Sequence, residues 1–600
     1  MEFLEKKYKL IVQLIGLLFF GFLFLLAWYF YKERMLCFDS AFSSFKIIEY
    51  KDFQIELGRW CDVFAQVLPL WALKHGCSLI TFLHLYSISY IIIYFIIFLV
   101  ITLGLNNYRA GIALMLTLCL AFRHEFYYTV TELHQGLAWT ILLWAIISPE
   151  KEYDSKWKKI TAVIIASGLV YVISYFHQFT LFAVVFVLVL ELVGNKRLRD
   201  PYLWAALIIV VAWYSIRIFV FTTSDYEKSK FITANIFIEQ FPNIWHLPST
   251  RYFRHFAKDN LWSLLVVIVA CLFLAYRRKD RLLFLFLLLY PLCFLVFILI
   301  SYYKGESPIM HENYYTILGL FAATALLFLV YDKLSKKWIL ILITPLLIIN
   351  LQGIYDAHAI LTKRIQYIDR LTIYGRTFEK KKFLLSMSNY PWQYAWVRWG
   401  LPFETLLYSS LQHPDSAVTF YLADNMNDYD SLISKENVFL GPDWANGWFS
   451  SNSMNRNYYR LPSTGYEKIN SSQGDSTFKE SVFTKDNVHI VPLQEIYHSY
   501  ADSFVVVPIN IINESGKKLS AIRKDPNGIF LSYHVYDKSG KQIIWDGART
   551  SLEVDIVDKY TQGLLINLPH KNGEYIIEID FVTEGVRWWS INSRFKLIVR

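Results

Sequence analysis

Apolar runs fill the first 352 residues of this chain and then stop. They lie at roughly 9–31, 79–105, 109–123, 133–148, 159–176, 178–194, 202–221, 261–276, 282–302, 314–331 and 338–352. A bilayer core takes about 20 apolar residues per helix, fewer where the helix is short or shielded. The pattern therefore predicts about eleven membrane spans. After residue 353 the period changes: 356–390 reads as a basic helical connector, and 391–490 as an aromatic region of mixed α and β character. From 504 to 599, seven β-rich runs are separated by turns such as Lys538-Ser539-Gly540 and Lys571-Asn572-Gly573. Apolar residues alternate with Glu578 and Asp580 from Tyr575 to Phe581, the mark of a half-buried strand. The expected fold class is a polytopic α-helical membrane protein with a C-terminal α/β connector and a β-sandwich. Its divisions fall at 1–352, 353–495 and 496–600.

Charge gives the predicted spans a direction. Lys6-Lys7, Arg109, Lys156 to Lys159, Lys196-Arg197 with Arg199, Arg277 to Lys279 with Arg281, and Lys333 with Lys336-Lys337 all fall on one side under strict alternation. The positive-inside rule makes that side, and the N-terminus with it, cytoplasmic. The outward connections are then 32–78, 124–132, about 177, 222–260 and 303–313, and everything after 353 is also outside. These clusters account for the net charge of +9, which therefore does not point to nucleic acid. Hydrophobic residues make up 55% against 18% charged, yet mean hydropathy is only +0.32, because the C-terminal part is ordinary soluble sequence. No small-residue cleavage site follows the first apolar run, so it reads as a retained anchor.

The outward connections hold the candidate chemistry. Asp39 falls where the first apolar run gives way to water, and an ionisable group there is a site hypothesis by default. The same loop carries Arg59 among large apolar residues, a composition suited to a helix lying along a membrane surface. The second cluster runs from Arg123 to Gln135. If it is helical, Glu125 and Glu132 share a face with Tyr128, and two carboxylates look into one cavity. The alternative is that these residues cap helix ends, with Tyr127 and Tyr128 in an aromatic belt. Arg251 and Arg254, with Lys304, suit either a phosphate or anionic lipid headgroups. His177 is a ligand or a helix-end residue, and His311, Glu312 and Tyr314 open the tenth run. Cys37, Cys61 and Cys77 share the first loop, which leaves open a disulfide from Cys37 or three free thiols. There is no CxxC or Cys/His metal spacing, P-loop, dinucleotide fingerprint, HExxH helix or GxSxG elbow.

Cys37-Phe38-Asp39-Ser40-Ala41, Thr131-Glu132-Leu133-His134 and His311-Glu312-Asn313-Tyr314-Tyr315, on this many-span layout, resemble the GT-C class of integral-membrane glycosyltransferases. That class includes protein O-mannosyltransferases, lipid A aminoarabinose transferases and bacterial polyprenyl-phosphate-sugar-dependent enzymes. The resemblance covers roughly residues 1–352. It implies a first-loop acid at the reaction centre, as base or metal ligand, and that role falls on Asp39. Many members carry Asp-Glu here, whereas Ser40 follows Asp39 in this chain, which puts a two-carboxylate version in doubt. The implied catalytic set is Asp39, Glu132 and His134. Arg59, Glu125, His177, Arg251, Arg254, Lys304, His311, Glu312 and Tyr314 fall to substrate binding. The donor implied is a polyprenyl-phosphate sugar and the acceptor a lipid-linked or cell-surface glycan, met among membrane lipids on the periplasmic face of a bacterial inner membrane. No cofactor is required, and a divalent metal is left open. Rival readings are a flippase for a lipid-linked glycan and a non-catalytic scaffold whose outer domain binds glycan. Trp392 to Trp399 and Trp588-Trp589 could stack on sugars, but a core role suits most of them better.

Overall fold

The computed structural model describes residues 2–150, 153, 155–219, 234–303, 308–386, 397–423, 426–442, 448–469, 485–499, 504–519, 529–552, 554–567, 571–583 and 587–599. Lys304, Trp392, Trp396 and Trp444 lie outside them. The chain divides into two compact units. The first comprises residues 1–374 with 403–417 and 454–460; the second comprises 375–402, 418–453 and 461–600.

In the first unit every one of the eleven apolar runs contains helix. The helices are α1 (Glu2–Tyr29), α2 (Tyr31–Met35), α3 (Phe38–Tyr50), α4 (Val63–Lys74), α5 (Leu79–Leu99), α6 (Tyr108–Thr117), α7 (Glu132–Ile147), α8 (Lys156–Ser174), α9 (Thr180–Gly194) and α10 (Pro201–Phe219). They continue with α11 (Ala234–Gln240), α12 (Pro248–Asn260), α13 (Trp262–Arg277), α14 (Arg281–Ser301), α15 (Pro308–Val330), α16 (Lys336–Asp356), α17 (His358–Arg376) and α18 (Leu401–Ser409). Among the described residues, six stretches are long and apolar enough to cross a membrane: 5–29, 79–104, 156–174, 281–301, 311–330 and 336–376. The α12–α13 pair, bent by 91°, makes a seventh if it counts as one span. α7, α9 and α10 are shorter apolar helices.

Short helices persist here because neighbours enclose them. α6 is buried along its whole length, and the 311–330 stretch is completely buried. Asn107 caps α6 through the Ala110 N–H at 3.0 Å and donates to the carbonyls of Ala145 and Ser148 at 3.1 and 3.0 Å. This fixes the start of α6 to the end of α7. The expected basic connector is helical only as far as Arg376; Lys382 opens a strand instead. Phe383 and Leu384, both fully buried, pack better in a sheet than on an exposed basic helix.

The second unit holds β1 (Lys382–Ser386), β2 (Thr419–Ala423), β3 (Val438–Leu440), β4 (Trp448–Ser450) and β5 (Glu467–Ile469). β1 is the centre of a parallel sheet ordered β2-β1-β5. There follow β6 (Val488–Pro492), β7 (Ile496–Ser499), β8 (Phe504–Asn513), β9 (Ile529–Asp537), β10 (Gln542–Ile544), β11 (Thr550–Ser551), β12 (Lys559–Asn567), β13 (Gly573–Thr583), β14 (Arg587–Trp588) and β15 (Ser593–Val599). These make a seven-stranded sheet, β10-β9-β13-β15-β7 with β11 on β9 and β14 on β13, and a three-stranded sheet, β12-β8-β6. One core joins them, with Val507, Ile509 and Ile511 from one sheet and Leu531, Val535, Ile577 and Leu597 from the other. The region starts with β6, ahead of the expected boundary at 496, and the run expected at 551–556 is reduced to β11 and a bridge from Ile556 to Leu519.

Candidate functional site

Asp39 sits on a turn held by a distant segment of its own unit. The residue before it, Phe38, has φ of +54°, a left-handed conformation costly for a bulky side chain. Its N–H donates to Glu404 Oε1 at 2.7 Å, and Glu404 Oε2 accepts from Arg364 Nη2 and Nε at 2.8 and 3.1 Å. Both members of this ion pair are fully buried. The Arg364 guanidinium also lies 4.2 Å from the Phe38 ring centroid, and that ring stacks on Tyr128 at 5.3 Å. The turn is thus clamped while Asp39 keeps its own side chain open.

The side chain is exposed, yet protein packs closely enough around its carboxyl to alter its titration. Enclosure raises the Asp39 carboxyl to about 6, helped by the charge of Glu132 and opposed by Arg59. Glu132 opens α7 and accepts from Arg59 Nη1 at 2.9 Å, with both side chains largely buried. A third acid joins them. Asp62 is buried, accepts from Gln66 Nε2 at 3.1 Å and Gln135 Nε2 at 3.3 Å, and is pushed up to about 7 by burial and then by Glu132. Gln66 is itself fixed, accepting from the Gln54 N–H at 2.8 Å and donating to the Gln54 carbonyl at 2.7 Å. Three carboxylates therefore share the field of one arginine, and two of them, Asp39 and Asp62, can hold or release a proton near neutral pH.

Residues 124–132 form a connection, as expected, and the helix that would have put Glu125 and Glu132 on one face does not form. Residues His124–Phe126 make a single 3-10 turn, and α7 begins only at Glu132. The cause is Glu312, whose Oε1 accepts from the N–H groups of Arg123 and Glu125 at 2.8 and 3.3 Å and whose Oε2 meets His124 Nδ1 at 2.7 Å. Burial opposes charge on His124, but Glu312 outweighs it and the imidazole is held above its ordinary value. Arg34 secures the far side of the turn: it donates to the Phe126 carbonyl, to Ser87 Oγ at 2.8 Å and to the Ser87 carbonyl at 3.0 Å. Glu125 is left buried with no hydrogen-bond partner for either carboxylate oxygen, and burial raises its carboxyl well above the ordinary range. His134 Nε2 lies 3.9 Å away, while His134 Nδ1 pairs with Thr131 Oγ1 at 2.7 Å. A space beside them, about 10 Å3 and lined also by Tyr90, Tyr94 and Tyr128, is the size of one water.

Other expected site residues have different surroundings. His177 is a helix-junction residue, its Nδ1 accepting the Phe179 N–H at 3.1 Å. His311 stacks on Tyr252 at 4.9 Å and Tyr314 on Tyr302 at 4.7 Å, both in aromatic packing. Arg251 and Arg254 are exposed on α12. Cys37, Cys61 and Cys77 are free thiols. Among the described residues no group of three His, Cys, Asp or Glu side chains is arranged to hold a metal ion.

Sequence reasoning missed Asp62, Arg34, Arg364 and Glu404. Asp62 had a signal, lying three residues after Arg59 in the same loop; Glu404, 366 residues from its partner Phe38, had none. A second polar cavity, about 400 Å3, occupies the opposite end of α7, lined by Arg109, Ser148, Glu150, Glu191, Asn195 and Asp200. Comparison of the chain with protein-family models, with curated proteins and with solved structures finds no match to any of them.

Proposed function

We propose that this chain is a GT-C-type membrane glycosyltransferase that moves a sugar from a polyprenyl-phosphate carrier to a lipid-linked or cell-surface acceptor on the periplasmic side of a bacterial inner membrane. One observation carries the reading: Asp39, exposed just after the first apolar helix, stands on a strained and clamped turn beside the Arg59–Glu132 pair. Strain maintained by a buried ion pair points to a position that matters. In this reading the Asp39 carboxylate takes the proton of the acceptor hydroxyl as that oxygen forms its bond to the anomeric carbon. The bond from that carbon to the carrier phosphate breaks, and its electron pair leaves with the phosphate. Arg59 supplies positive charge for the departing phosphate, with Glu132 holding its guanidinium in place. The lipid tail keeps the donor in the bilayer, so no nucleotide site is needed.

The test is transfer by the purified chain in liposomes from a panel of labelled polyprenyl-phosphate sugars to crude envelope lipid. Asp39→Asn is expected to lose about 100-fold or more in turnover, with no loss of thermal stability, since the substitution removes a carboxylate that folding disfavours above about pH 6. Transfer that survives in a folded Asp39→Asn protein removes Asp39 from the centre. The flippase reading draws support from the 400 Å3 polar cavity at the other end of α7; carrier-lipid translocation without turnover of any donor would favour it.

A further inference from the structure

The seven-stranded sheet turns one face to the core and builds a different surface on the other. Leu531, Tyr533 and Val535 of β9 enter the core, as do Ile577, Ile579 and Phe581 of β13. Strand alternation sends His534 and Tyr536, with Glu578, to the outer face. There the His534 ring lies 4.1 Å from the Trp545 ring, nearly parallel at 18°, and 4.2 Å from the Trp588 ring. The two tryptophans are 6.3 Å apart, well short of those two separations laid end to end. They form a bent aromatic corner around His534 and do not flank it on opposite faces.

This corner is held rigidly. His534 Nδ1 meets the Trp545 carbonyl, and the Arg549 guanidinium sits 5.2 Å from the Trp588 ring while bonding Ser532 Oγ at 3.0 Å and the Gly547 carbonyl at 2.9 Å. Beside it, Arg594 is paired with Glu578 at 2.5 Å and lies 5.8 Å from the Tyr536 ring. Trp545 nevertheless leaves 49% of its surface exposed. Trp589 makes the contrast, buried in the core against Phe581. Leaving a large ring in water while fixing its orientation forgoes burial energy that Trp589 collects. A ligand that covers the ring would recover that energy with little ordering cost.

We propose that this outer face is a carbohydrate-binding surface for neutral pyranose oligosaccharides, with Trp545 and Trp588 as stacking platforms and the Glu578–Arg594 and Arg549 groups as hydrogen-bonding neighbours. A pyranose ring offers an apolar C–H face and a rim of hydroxyls. The aromatic corner takes the first, as amphipathic aromatic rings do at interfaces, and the carboxylate and guanidinium groups take the second. A lipid surface suits the face less well, because inserting it would strip water from the Glu578–Arg594 and Asp546–Arg549 ion pairs. The inference does not depend on the transferase reading.

The experiment is fluorescence polarisation of the full chain in detergent micelles against labelled gluco-, manno-, galacto- and N-acetylglucosamine hexasaccharides. At least one of them is expected to bind. Trp545→Ala and Trp588→Ala should each weaken it about tenfold, equivalent to about 1.4 kcal/mol, with Trp545→Phe recovering most of the loss and Trp589→Phe leaving it unchanged. Thermal unfolding of each variant separates lost binding from lost folding. Absence of binding to every hexasaccharide overturns the proposal. So does binding indifferent to Trp545→Ala and Trp588→Ala in folded protein, and so does Trp545-dependent capture by protein-free phosphatidylglycerol vesicles in place of sugar.

Discussion

Asp39 owes its setting to residues that carry no chemistry themselves. Glu404 makes two kinds of bond at once, neutralising Arg364 and receiving the N–H of a residue in a left-handed conformation. Glu404→Gln would leave a buried guanidinium without its counter-charge, and about 3–5 kcal/mol of stability should be lost, measured by denaturant unfolding in detergent. The double variant Arg364→Met/Glu404→Met should lose less than Glu404→Gln. The acids give a second expectation. Asp39 and Asp62 are raised above the ordinary value of 3.8, to about 6 and about 7. A raised folded-state value adds stability that is complete below 3.8 and disappears as pH climbs through the folded value. Thermal midpoints at pH 5 should therefore exceed those at pH 8, and Asp62→Asn should flatten the upper part of that slope. Sequence made Asp39, Glu125, Glu132 and His134 legible, because polar residues stand out at apolar boundaries. It could not rank Asp62 or Arg34 among loop charges, since their importance lies in burial.

Helices were readable because a run of apolar residues of that length has few other solutions; where two runs meet was not. The corner between α7 and the α8–α9 junction shows why. A β-carbon on Gly136 would lie 2.5 Å from Thr180 Cγ2 and 3.1 Å from Phe176 Cβ. Thr180 cannot rotate away cheaply, because its hydroxyl is bonded to the His177 carbonyl at 2.5 Å and to the Tyr214 hydroxyl at 2.6 Å. Gly136→Ala should consequently destabilise by about 1–3 kcal/mol, overpacking outweighing the gain in helix propensity, and should lower the thermal midpoint in detergent. The connection from Arg123 to Thr131 takes its shape for a non-local reason: a carboxylate on α15 captures two of its N–H groups. The strand at Lys382 likewise depends on β2 and β5, which come later in the chain.

At the scale of the molecule, composition alone divided the chain into an apolar body and a soluble remainder. What it could not show is that residues 403–417 and 454–460 belong with the body. The β region from β6 to β15 has a core of its own, so a fragment of residues 485–600 should unfold cooperatively in urea with β-type circular dichroism. The bonds within the first unit also impose a parity. Hydrogen-bonded groups lie at one depth on one side of a bilayer, so whichever candidate spans cross, the number of crossings between Phe38 and Glu404 is even, and so is the number between Arg59 and Glu132. In the second interval, among the described residues, 79–104 is long and apolar enough to cross; if it does, the return falls to α6 with the turn and extended residues after it. Ten helical residues rise about 15 Å, half of a hydrocarbon core. Irregular backbone is tolerated at that depth only where protein surrounds it. On that path, the complete burial of α6 is the condition for so short a helix to bring the chain back to the side where Asp39 stands.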